Sequence, residues 1–107
     1  MPSDEIRLAI LSPEQARDAL ARIAEAEIGV REIGGNNRGP RVREYQGATW
    51  TEPGVWPWCA AFVCWIIREW MKSPSVQQIA KFHRPRTTGA FDFIRWAKDE
   101  GLKVLGE

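Results

Sequence analysis

At 107 residues the chain has room for one small domain, and 44% hydrophobic against 27% charged residues is the ordinary mix of a globular fold. A net charge of +1 offers no strong field, which argues against nucleic acid as the main partner. Eleven of the fifteen cations are arginine, and they read as a solvated, salt-bridged surface. No stretch reaches the roughly 18 apolar residues of a membrane span, and Met1-Pro2-Ser3-Asp4-Glu5 lacks the basic start of a secretory signal.

In chain order, residues 1–11 form an N-terminal lead, with Ile6 to Leu11 apolar and extended. Ser12-Pro13-Glu14-Gln15 is a helix start: Ser12 caps, Pro13 suits the first helical position, and Gln15 completes a capping box. Ala16, Ala19, Leu20, Ile23, Ala24 and Ile28 make the buried stripe, and Gly29 ends the helix. Residues 30–40 are a loop in which Gly34-Gly35 and Asn36-Asn37 supply positive φ at low cost. Asn36, Asn37 and Arg38 are candidate substrate-binding groups there, weighed against a tight connection that needs them only for its backbone. Arg41 to Gln46 is one or two helical turns with Val42 and Tyr45 inward. Pro53-Gly54 then turns the chain toward its most apolar run.

That run, Val55 to Trp70, holds both cysteines and four of the six tryptophans. Cys59, Phe62, Val63, Ile66, Ile67 and Trp70 recur at steps of three and four, one stripe of a helix. Pro57 fits the helix entrance, so Cys59 lies in the first turn, where the helix dipole and unpaired N–H groups favour the thiolate. The bland alternative is two small core residues, since free cysteine is among the most buried types. Residues five apart on one helix point away from each other and cannot pair as a disulfide, and two cysteines with the distant His83 do not make a zinc site. No metal or other cofactor is expected. Trp58, like Trp50 and Trp56, lies on the approach to Cys59, where a ring walls a cleft or fills a core.

The nucleophile-bearing helix should end near Lys72, before Ser73-Pro74. Val76 to Phe82 carries a weak helical pattern that His83-Arg84-Pro85-Arg86 breaks. Thr88 is placed to cap a last helix with Phe91, Ile94 and Trp96-Ala97 inward and Gly101 closing it; Leu102 to Leu105 is a short apolar tail. His83, between two helices, reads as an exposed loop histidine.

Pro57-Trp58-Cys59-Ala60-Ala61-Phe62-Val63-Cys64-Trp65 resembles the nucleophile motif of the CHAP family, the cysteine, histidine-dependent amidohydrolase/peptidases of the NlpC-like, papain-like superfamily. Glu27-Ile28-Gly29-Val30-Arg31-Glu32-Ile33-Gly34-Gly35-Asn36-Asn37-Arg38-Gly39-Pro40 is similar to the segment that precedes that cysteine in phage and prophage members. The resemblance covers roughly residues 16–105, and two ordered motifs are more specific than either alone. It implies an α+β papain-like cysteine hydrolase that cleaves peptidoglycan amides, with Cys59 as nucleophile and Cys64 where the family often has a small residue such as serine. The family's base is a histidine on a later strand, usually after a Gly-Asp, and neither follows here. The chain is therefore expected to be mainly α-helical, a CHAP-like domain over 1–107 that lacks its strand half. Self-association, or a partner chain supplying the sheet, would cover the face left open. The enzyme would be made in the cytoplasm and carried to the cell wall by other machinery. The alternative is a non-catalytic helical wall-binding or phage structural module that keeps the front half of the fold.

Overall fold

The computed structural model describes residues 11–103; the lead at 6–10 and the tail beyond Lys103 lie outside them. Among the described residues there are five helices and no strand: α1 (Pro13–Glu25), α2 (Pro40–Gln46), α3 (Cys59–Trp70), α4 (Pro74–Gln77) and α5 (Asp92–Asp99). The mainly helical character expected of this chain is what the fold shows.

The start of α1 is the capping box read from Ser12 and Gln15. The Gln15 N–H donates to Ser12 Oγ at 3.1 Å, and the Ser12 N–H donates to Gln15 Oε1 at 2.9 Å. Its end comes earlier than Gly29. The helix stops at Glu25, and two tight turns, Glu27 N–H to the Ala24 carbonyl and Ile28 N–H to the Glu25 carbonyl, carry the chain to Gly29 at φ 98°. The tightening swings the Glu27 carboxylate toward α2 and turns Ile28 out to 82% exposure, so Ile28 does not belong to the buried stripe. Of that stripe Ala16 is buried and Ala19, Leu20, Ile23 and Ala24 are half-buried.

In α2, Val42 and Tyr45 are inward, as their spacing of three requires, but Gln46 is buried beside them. A buried amide must keep its hydrogen bonds. Gln46 Nε2 donates to the carbonyls of Gly54 and Trp56 at 2.8 and 3.0 Å, and Gln46 Oε1 accepts from the Gly54 N–H at 3.1 Å. One side chain thus pins the loop that delivers the chain to α3.

Both α1 and α2 pack against α3. Of the expected stripe Cys59, Phe62, Val63, Ile66, Ile67 and Trp70, α3 fully buries only Ile66, and Phe62, Ile67 and Trp70 are half-buried, so the buried face is rotated from it. That face is Ala60, Ala61, Cys64, Trp65 and Ile66, with Cys59 and Val63 exposed. A helix apolar on most sides offers several stripes, and packing selects the one whose two alanines let neighbouring helices come close. The core is Tyr45, Ala48, Ala61, Cys64, Trp65 and Ile66, flanked by half-buried Leu20, Ile23, Phe62 and Phe93 among others.

Pro74 does end the α3 region, but it also opens α4 at its first turn, and Val76 is the buried anchor there. The last helix departs most from expectation. Thr88 does not cap it: Thr87 Oγ1 donates to Asp92 Oδ2 at 2.9 Å and accepts from the Gly89 N–H at 3.1 Å. Phe91 and Ile94 are exposed at 89% and 47% rather than inward. Trp96 and Ala97 are half-buried as read, Trp96 edge-on to Phe82, and Phe93 packs against the core in place of Phe91 and Ile94. Gly101, at φ 74°, closes the helix as read.

Removing the Gln46 amide leaves three backbone groups without their partner. Gln46→Ala should lower stability by about 2–4 kcal/mol, read as a drop in the urea midpoint, because desolvated polar groups and a small cavity are left together.

Candidate functional site

Cys59 is the first residue of α3, with Trp58 as N-cap. The first main-chain bond of the helix runs from Phe62 N–H to the Trp58 carbonyl at 2.8 Å, so the N–H groups of Cys59, Ala60 and Ala61 precede the ladder. The thiol is exposed and faces a depression of about 390 Å³ lined by Ala24, Glu27, Ile28, Val30, Tyr45, Trp58, Cys59 and Phe62. Its walls are apolar apart from one carboxylate and one phenol.

Those two polar groups are engaged with each other. Tyr45 Oη donates to Glu27 Oε1 at 2.7 Å, Arg41 Nε donates to the same oxygen at 2.5 Å, and Arg41 Nη2 donates to Oε2 at 2.8 Å. Arg41 also reaches Glu44 and lies 4.8 Å over the Trp65 ring. The Glu27 side chain is only 9% exposed, and the Arg41 guanidinium beside it holds its carboxyl below the usual carboxylate range. Burial first, then the Glu27 carboxylate, pushes the Tyr45 phenol up to about 12. Tyr45 is thus a neutral donor whose ring is free to pack. It stacks on Trp58 at 5.5 Å and meets Phe62 and Trp65 edge-on at 4.9 and 5.2 Å. The sequence reading missed Glu27 and Tyr45 as parts of this wall, and the Glu27-to-Arg41 interval carries no local signal of the pairing.

Trp58 lies beside Cys59 as its place in the motif requires. Its indole N–H donates to Glu32 Oε2 at 3.1 Å, and the same oxygen accepts from the Asn37 N–H. Asn37, at φ 58°, and Arg38 line a neighbouring depression of about 260 Å³ with Arg43, Gly54 and Val55. Asn36 is exposed in the same turn, which the Ile33 N–H to Arg38 carbonyl bond closes at 2.8 Å. The fold therefore brings Trp58 to Cys59, and joins Asn37 to Trp58 through Glu32. It leaves Asn36 and Arg38 off the wall of the Cys59 depression.

Cys64 is buried, its Sγ 3.4 Å from the Thr87 carbonyl, and burial pushes its thiol up to about 11. His83 is 96% exposed and pairs through Nδ1 with Glu100 at 3.0 Å, in a groove that shares no lining residue with the Cys59 depression. Among the described residues no cluster of His, Cys, Asp and Glu is set to hold a metal ion, and no helix is long and apolar enough to cross a membrane.

Two measurements follow from this geometry. With iodoacetamide at pH 8 the folded protein should label at Cys59 while Cys64, buried and with its thiol pushed up to about 11 by that burial, stays unmodified until unfolding; equal rates on peptide mapping would contradict the arrangement. Glu27→Gln should cost about 2–4 kcal/mol near pH 7, because Arg41 loses its buried partner, while Glu14→Gln, breaking an exposed pair with Arg17, costs under about 1 kcal/mol. Since folding lowers the Glu27 pKa, its stabilisation is full above the unfolded value of about 4.3. It is lost as pH falls through the folded value, so the gap between wild type and Glu27→Gln should narrow as pH falls below about 4.3 in urea titrations.

No family model matches the chain, and comparison with curated proteins and with solved structures found no match.

Proposed function

We propose that this mainly helical chain belongs to a papain-like, CHAP-type cysteine hydrolase that cleaves peptidoglycan amides, as phage endolysins do, with Cys59 as nucleophile. The observation that carries the reading is the exposed thiol that opens α3 beside an apolar depression, in the Pro57-to-Trp65 motif, while the second thiol is buried. The apolar walls give a substrate side chain somewhere to lie, and Trp58 flanks the approach.

In this reaction the Cys59 thiolate attacks the amide carbonyl carbon. A C–S bond forms, and the carbonyl oxygen takes the negative charge while N–H groups at the start of α3 face it. Collapse breaks the C–N bond, and the leaving amine takes a proton from an imidazolium. Water then hydrolyses the thioester and restores the thiol. His83 does not share the Cys59 depression, so the imidazole comes from outside the described arrangement, from a strand-bearing segment or partner chain packed on α3. Exposed Val63 and Ile28, and half-buried Val30, offer that element apolar contact close to Cys59.

The separation of Cys59 and His83 is also what favours a second reading, a wall-binding or phage structural module without catalysis. The two are told apart by turbidity clearance of purified peptidoglycan. Residues 1–107 alone should give no measurable lysis, since acid–base assistance contributes about 10²–10⁴-fold and the leaving amine needs a proton. With a histidine-bearing segment supplied, lysis should appear, vanish in Cys59→Ala and largely survive in Cys64→Ala. Lysis by the isolated chain that disappears in His83→Ala would make His83 the base and sink the complementation reading. Pull-down on peptidoglycan with no lysis under any supplement would leave the binding module.

A further inference from the structure

A second groove, remote in lining from Cys59, runs between the Trp50 loop, the 83–88 segment and α5, and encloses about 650 Å³. We propose that it binds a carboxylate-bearing saccharide, with Trp50 stacking on the sugar and Arg84, Arg86 and Arg95 receiving the carboxylate.

Trp50 carries the argument first. Trp50 is 79% exposed and lines this groove, so its ring is open to a ligand there. Its main chain is tied to the 83–88 segment, the Trp50 backbone N–H donating to the Arg86 carbonyl at 3.0 Å, and the Arg86 guanidinium lies 4.4 Å from the indole ring centroid. The cation occupies one side of the indole and leaves the rest of the ring open. The C–H face of a pyranose is apolar and flat, and an open indole beside hydroxyl-binding groups suits it.

Charge supplies the second part. Among the described residues no carboxylate pairs with Arg84, Arg86 or Arg95. Arg84 is half-buried, and its Nη1 donates to the Ala48 carbonyl at 2.7 Å, which aims the guanidinium without neutralising it. Burial, then Arg86 and Arg68, lower its pKa, the mark of a cation lacking a counter-charge. Two of the groove's acids already accept hydrogen bonds within the chain: Asp92 from Thr87, and Glu100 from His83. An incoming carboxylate would meet a guanidinium fork, the geometry that arginine matches best.

The same acids speak against a nucleic acid. Asp92, Asp99 and Glu100 line the groove and repel any anion. A run of phosphates meets that repulsion at every charge, whereas a single carboxylate meets it once, with the three arginines to offset it. The acids also accept from sugar hydroxyls. The groove shares no residue with the Cys59 depression, so its occupancy does not depend on what Cys59 does.

The test is calorimetric titration of the whole chain with N-acetylmuramic acid and N-acetylglucosamine, two sugars that differ by one lactyl carboxylate. N-acetylmuramic acid should bind about tenfold more tightly or better, the effect of one charge-assisted contact. Trp50→Ala and Arg95→Gln, both at exposed side chains, should each weaken it about fivefold or more with the far-UV spectrum unchanged. Cys59→Ala should bind as wild type, which separates this site from the hydrolase reading. Equal affinity for the two sugars, no saturable binding of either, or wild-type binding by both groove variants overturns the proposal. So does tighter binding of oligouridylate with the same dependence on Trp50 and Arg95.

Discussion

The Glu27 carboxylate, shared by Arg41 and Tyr45, is the interaction on which the rest of this structure depends. It joins the exit of α1 to α2 and sets where α1 gives way to turns. By holding the Tyr45 hydroxyl it fixes the ring against which Trp58, Phe62 and Trp65 pack. A buried ion pair of this kind adds little net energy over an apolar substitute, because desolvation offsets the attraction. Its value is orientation. A greasy contact between α1 and α2 would allow many registers, whereas a guanidinium fork and a phenol on one carboxylate allow very few.

Gln46 does for the approach loop what Glu27 does for the helices. Buried side chains are few in a chain of this size, and much of the core consists of alanines and half-buried aromatics. Small domains bury a small share of their unfolded surface, so hydrophobic burial leaves a narrow margin. The chain adds specific polar contacts, of which those of Gln46 and Glu27 tie distant segments together. Glu32, bridging the Trp58 indole and the Asn37 amide, extends the same device to the loop before α2. The start of α3 is thereby held from two sides, by the Gln46 loop and by the Glu32 bridge.

The molecule consequently presents two unlike surfaces. Around the exposed Cys59 thiol the wall is apolar with its charges spent on each other, which suits a neutral side chain. Around Trp50, Arg84, Arg86 and Arg95 have no carboxylate ion-pair partner among the described residues and the ring is exposed, which suits a charged, hydroxyl-rich ligand. α3 links them, since Cys59 opens it and Cys64, one and a half turns on, touches the Thr87 carbonyl in the floor of the second groove.

What the sequence by itself determined is what local chemistry decides. Ser12 and Gln15 cap α1, Val42 and Tyr45 turn inward, Gly101 closes α5, and Cys59 stands at the head of α3, whereas Pro40 and Pro74, read as breaks, open α2 and α4. Each rests on residues within a turn of one another, where backbone geometry and spacing suffice. Tertiary structure decided the rest. Which face of α3 is buried could not be read from an almost wholly apolar helix; only the approach of α1 and α2 picks Ala61, Cys64 and Trp65 over Val63 and Ile67. The early end of α1, the burial of Gln46 and the outward turn of Ile28, Phe91 and Ile94 all follow from partners distant in the chain. The candidate site divides the same way. The nucleophile was legible as one residue at one helix end, but its walls come from Ala24, Val30 and Tyr45, which no local pattern ties to it, because a carboxylate's choice of partner is a property of the folded chain alone.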